Sequence, residues 1–116
     1  MNTPVNCHLW QMDKLIPQDL YGTFETVQEF FDDVHDRRAL LKCKKCGQLY
    51  FYEFHEWIDW EAGNDPQYRT YIPVDSEDEI KALLGTNPFT LLSFAPRLQS
   101  DFPKDASSPK VYWVRT

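Results

Sequence analysis

Long apolar runs, a second cysteine pair and an excess of basic charge are all missing from these 116 residues, and each absence excludes something. No stretch approaches the roughly 18 consecutive apolar residues that a membrane-crossing helix needs. The opening MNTPVNCHLWQMDK has no basic leader followed by a continuous apolar segment, so neither secretion nor membrane insertion is expected, and the cytoplasm is the predicted location. Three cysteines occur, an odd number. That argues against a disulfide framework and for reduced thiols or metal ligands. Among the four glycines there is no loop to cradle a phosphate, and neither a nucleophile elbow nor an HExxH stretch appears. Asp59-x-Glu61 lacks a lysine at the spacing that would complete a nuclease-type site. An enzyme is therefore not expected.

Twelve basic residues stand against eighteen acidic ones, for a formal charge of −6 and a pI near 4.9. Such a field repels nucleic acid and anionic membranes and favours basic partners. An apolar share of 42% and an aromatic share of 16% supply enough material for one hydrophobic core. No repeat, low-complexity tract or long linker divides the chain, so residues 1–116 are expected to form a single domain.

Val27, Phe30, Phe31 and Val34 recur at helical spacing and predict a helix over residues 24–36, with Thr23 or Thr26 as its cap. Asp32, Asp33 and Asp36 would then sit against the dipole at its C-terminal end. A β-hairpin is expected around Cys43-Lys44-Lys45-Cys46-Gly47. Its second strand, Gln48 to Phe54, is predicted to be central, with Tyr50, Tyr52 and Phe54 on one face and Leu49, Phe51 and Glu53 on the other. Gln67 to Val74 reads as a further strand. Ser76 with Glu79 forms a capping box for a helix carrying Ile80, Leu83 and Leu84 and ending at Gly85. Asn87-Pro88 opens another helical turn, with Phe89, Leu92 and Phe94 facing inward. Residues 95–109, with three prolines, read as a surface loop, and Lys110 to Arg115 as a strand. The predicted class is α+β: a small antiparallel sheet of three to five strands with helices packed on one side.

The sharpest chemical signal is Cys43-x-x-Cys46-Gly47. That spacing lets two thiolates reach one metal ion across a tight turn, and the glycine permits the turn. Tetrahedral zinc needs four ligands. Cys7 and His8 are the candidates to supply the other two if the N-terminal segment folds back over the hairpin, and His55 is a weaker substitute. Cofactor expectations are accordingly none, or zinc.

A second signal is acidic and aromatic. Glu53, Glu56, Asp59, Glu61 and Asp65 are interleaved with Trp57, Trp60 and Tyr68, a pattern that suits a surface gripping a basic partner: aromatics give anchor area and carboxylates steer the approach. Arg37, Arg38, Lys42, Lys44 and Lys45 form the one basic cluster. In a chain of this charge they read as a solvated hairpin or as internal partners for neighbouring acids rather than a nucleic-acid site.

The stretch Leu40 to Val74, containing CKKCGQLYFYEF and GNDPQYRTYIPV, and the closing KVYWVR resemble small bacterial proteins. In size and charge the chain is similar to the immunity proteins of contact-dependent growth inhibition, which bind and block a toxin domain inside the producing cell. The resemblance implies a toxin-neutralising protein whose partner is a cognate, basic toxin domain such as a nuclease. It carries over no individual residue, since those proteins share no common signature. The alternative reading is a zinc-binding structural or regulatory module built on Cys43 and Cys46.

Overall fold

The computed structural model describes residues 2–57 and 65–116. Six strands form one antiparallel sheet in sequence order: β1 (Phe24–Asp32), β2 (Asp36–Cys43), β3 (Leu49–Glu56), β4 (Gln67–Val74), β5 (Arg97–Phe102) and β6 (Lys110–Val114). Two short helices, α1 (Glu77–Leu84) and α2 (Pro88–Leu91), fill the connection from β4 to β5. The molecule is therefore nearly all sheet. The expected α+β arrangement of three to five strands with packed helices is overturned, because two segments read as helix and loop are strands.

The first is β1. Its pairing with β2 is interrupted by register shifts between Thr26 and Gln28 and between Glu29 and Phe31. Each bulge inserts an extra residue and turns the side chains that follow it. Phe24 and Phe30, six residues apart, would share a face in a regular strand. Here Phe24 packs with the core on one face and Phe30 with the core on the other. Bulged edge spacing thus imitates a helical period, and Val27, Phe31 and Val34 are left exposed. Of the acids that opposed a helix dipole, Asp32 lies opposite Arg37, while Asp36 itself begins β2 and meets His55 of β3. Glu25 lies opposite Lys42, and Arg37 donates to both oxygens of Glu29.

The second is β5, inside the expected loop. It pairs with β4 from Gln67↔Phe102 to Tyr71↔Leu98 and with β6 along its other side. Its polar centre, Gln99-Ser100, is buried. Thr70 donates to Gln99 and Gln99 to Asp101, so the buried polar groups pair with one another. Pro73 lies where β4 overhangs the end of the β5 ladder, a place where a strand tolerates a missing donor.

β3 is central, with both faces covered, as the pattern of Tyr50 to His55 predicts. On one face Ala39, Leu41, Cys43, Tyr50, Tyr52, Tyr71, Leu98 and Val111 pack beneath Cys7 and Leu9 of the N-terminal segment. On the other, Leu40, Phe51, Ile72 and Val74 pack beneath Leu83 of α1 and Leu91 of α2. Ser76 caps α1 by accepting from the Glu79 amide, and Asn87 caps α2 by accepting from that of Thr90. α2 is a single turn that buries Leu91, while Phe89 and Leu92, expected inside, stay exposed. Among the described residues no helix is long and apolar enough to cross a membrane.

Candidate metal centre

Three local structures bring the metal candidates together. β2 ends with Cys43 buried against the N-terminal segment. The chain then reverses in a turn closed by hydrogen bonds from the Gly47 amide to the Cys43 carbonyl (2.8 Å) and from the Cys43 amide to the Gln48 carbonyl (2.9 Å). Gly47 takes φ +78° there, a conformation that L side chains avoid. The turn leaves Cys46 exposed at the rim. Cys7 and His8 arrive from the opposite direction on consecutive tight turns, in which the Cys7 amide bonds the Pro4 carbonyl and the Trp10 amide bonds that of Cys7.

The N-terminal segment is held by contacts of its own. Leu9 is buried. The Trp113 indole donates to the Leu9 carbonyl at 2.8 Å and Arg115 to the Trp10 carbonyl at 3.0 Å. Trp10 meets Trp113 edge to face, with Arg115 over its ring.

One ligand atom from each of Cys7, His8, Cys43 and Cys46 lies within 4.8 Å of the others. Around tetrahedral zinc, bond lengths of about 2.3 Å to sulfur and about 2.0 Å to nitrogen place ligand atoms about 3.5–3.8 Å apart. The Cys43 Sγ to His8 Nδ1 separation is already 3.8 Å. A contraction of about 1 Å or less in the widest pair would complete the tetrahedron. Burial and the nearby Lys45 hold the His8 pKa below its usual value against an opposing pull from Asp19, which keeps the imidazole neutral, the form that binds metal.

Sequence reasoning did not find Tyr50. Its hydroxyl, buried on β3, donates to Cys7 Sγ at 3.0 Å. Burial, followed by the bond to Cys7 and the neighbouring thiols, raises the phenol's pKa far above its usual value, so it stays a donor. A hydrogen bond of this kind orients a metal-binding thiolate. In the sequence Tyr50 looks like any aromatic of a pleated strand, and only tertiary packing shows its role.

The acidic and aromatic candidates have mixed settings. Glu53 is buried, and its Oε2 accepts from Arg38 Nε at 2.5 Å. Glu56 receives Gln67 Nε2 at 2.8 Å and meets His35 Nδ1 at 2.7 Å. Those contacts, Gln67 first, hold its carboxyl below the usual range. Trp57 is exposed and packs edge-on against Phe89 and His55. Tyr68 and Asp65 are half-buried, and Asp59, Trp60 and Glu61 lie outside the described residues. His55 sits toward the far end of β3, bonded to Asp36, and does not join the cysteines. In the basic cluster, Arg37, Arg38 and Lys42 all pair with acids of neighbouring strands.

Compared with protein-family models, curated proteins and solved structures, the chain gives no match.

Proposed function

We propose that the chain is a zinc-binding module in which Cys7, His8, Cys43 and Cys46 hold one ion that fastens the N-terminal segment to the β2–β3 hairpin. The observation that carries this reading is the convergence within 4.8 Å of four ligand groups from two segments of the chain that lie about 35 residues apart. Three sulfurs and one imidazole suit zinc. Four protein ligands fill its coordination shell, which favours a structural or regulatory ion over a catalytic one. Lys44 and Lys45 beside Cys46 offset the net negative charge that three thiolates leave around a divalent ion. Protein purified without chelator is expected to contain one zinc per chain. Cobalt in its place should give the visible absorption of a tetrahedral thiolate site, reduced or lost in Cys46→Ser. A folded sample that neither contains nor takes up stoichiometric metal would overturn the reading.

A second reading, a toxin-neutralising protein, is favoured by the exposed Trp57 and Phe89 side by side on a chain of charge −6. An aromatic anchor within an acidic field suits a basic protein partner. Its test is co-purification from the native host. A basic toxin domain at equal stoichiometry, dissociating faster from Trp57→Ala, supports it; a partner indifferent to Trp57 removes this surface from it.

A further inference from the structure

On the face of the sheet opposite the cysteines lies a pocket of about 240 Å3. Its walls include Trp57, Tyr68, Phe89 and Leu92, with His55 and Glu53 contributed by β3. We propose that this pocket binds a methylated or quaternary ammonium group. Aromatic rings attract a cation through their quadrupoles, and a trimethylammonium group can satisfy them without hydrogen bonds.

Glu53 supplies the charge that selects a cation. Its residue is only 4% exposed. Oε2 is taken by Arg38, while Oε1 receives no hydrogen bond from another described residue. Arg38 is not dedicated to it. The same guanidinium donates to the carbonyls of Leu83 (3.2 Å), Leu84 (3.0 Å) and Thr86 (2.6 Å), so its charge is shared with the negative C-terminal end of α1. Burial raises the Glu53 pKa and Arg38 opposes it; a cation seated in the pocket would favour the charged carboxylate further. His55, another titratable group on the wall, is bonded to Asp36. An anion would meet Glu53 head-on, and a neutral apolar ligand would cover the carboxylate without replacing the lost water. A cation avoids both penalties.

The rim fits this ligand class. Trp57 is 41% exposed, Phe89 61% and Leu92 40%, so the aromatic walls are open to an entering group. The volume is below that of pockets for drug-sized ligands, about 300–1,000 Å3, and suits a headgroup or a single side chain.

The test is an amide NMR titration of the full chain with choline and with its neutral isostere, 3,3-dimethylbutanol. Choline is expected to shift resonances of β3, β4 and α2, and the alcohol to bind about tenfold or more weakly. Phe89→Ala and Trp57→Ala, both on the exposed rim, should each weaken choline by about two- to thirtyfold. Equal binding of choline and the alcohol, shifts mapping elsewhere, no response at tens of millimolar, or indifference to both variants would each overturn the proposal. A peptide carrying trimethyl-lysine distinguishes the source of the group. Tighter binding than choline identifies a protein side chain, and binding of choline alone identifies a small molecule. Because the pocket and the cysteine cluster lie on opposite faces, the titration also gives its answer if the metal reading fails.

Discussion

Arg38 and Glu53 show at the scale of single residues how the sequence hides its energetics. Both were legible as charges on adjoining strands, yet their side chains are only 14% and 5% exposed. Removing one partner of a buried pair strands the other, which typically costs about 3–5 kcal/mol, whereas replacing both by apolar groups is often close to neutral. Arg38→Met is therefore expected to destabilise by about 3–5 kcal/mol, and Arg38→Met with Glu53→Met to recover at least half of that loss. Denaturant melts check both. The pH dependence has a definite sign. Burial already holds the Glu53 pKa above its usual value, with Arg38 as the first opposing influence. Without Arg38 it rises further, so the folded variant is handicapped at neutral pH, where the carboxylate is charged. The handicap should shrink as pH falls through the raised value and Glu53 protonates. A deficit that stays constant on acidification would show that Arg38 acts through the α1 carbonyls, which do not titrate, rather than through Glu53.

At the scale of elements, β3, β4 and β6 were legible because each carries runs of residues suited to a pleated, half-buried surface, and β2 because the Cys43–Gly47 turn marks it as the first arm of a hairpin. The helix caps were legible too, since Ser76 and Asn87 act through local hydrogen bonds. β1 was not. Its two bulges break the period on which strand recognition relies, and the surviving clue was electrostatic: Asp32, Asp33 and Asp36 oppose a helix dipole, whereas in the sheet Asp32 faces Arg37 of β2 and Asp36, already in β2, meets His55. β5 was obscured by buried polar residues, whose mutual hydrogen bonds are invisible to an apolar pattern. The Cys43–Cys46 turn was readable because its need for Gly47 is local. That need is testable. An added Cβ at Gly47 would meet nothing within 4 Å, so the cost of substitution lies in the backbone alone. Gly47→Ala should lose about 1–2 kcal/mol at φ +78°, and Gly47→Asn less, because asparagine tolerates this conformation better. Thermal melts of the metal-free proteins should rank glycine first, asparagine second and alanine last. Equal losses for the two variants would point to a steric cause instead.

For the whole molecule the question is how much of the fold depends on the metal site. Small zinc domains without another core unfold when the ion is removed. This chain has two cores, one on each face of the sheet, and its N-terminal segment is anchored independently by buried Leu9, by the Trp113 indole on the Leu9 carbonyl and by Arg115 on the Trp10 carbonyl. Those anchors lie beyond His8 in the chain, while the residues before it are held by the buried Cys7, with its bond from Tyr50, and by the exposed Asn2–Asp75 bond. Chelation should therefore leave a folded sheet and loosen one end of it. In hydrogen exchange, amides around Cys7 and His8 and in the 43–48 turn should lose protection, while those of β3 and β4 keep theirs. The melting temperature should fall, and Cys7→Ser should reproduce much of the change without chelator. If chelation instead abolished protection in β3 and β4, the ion would have to be part of the folding nucleus, and the two cores would be insufficient without it. If it altered no amide at all, the four ligands would be neighbours by packing alone.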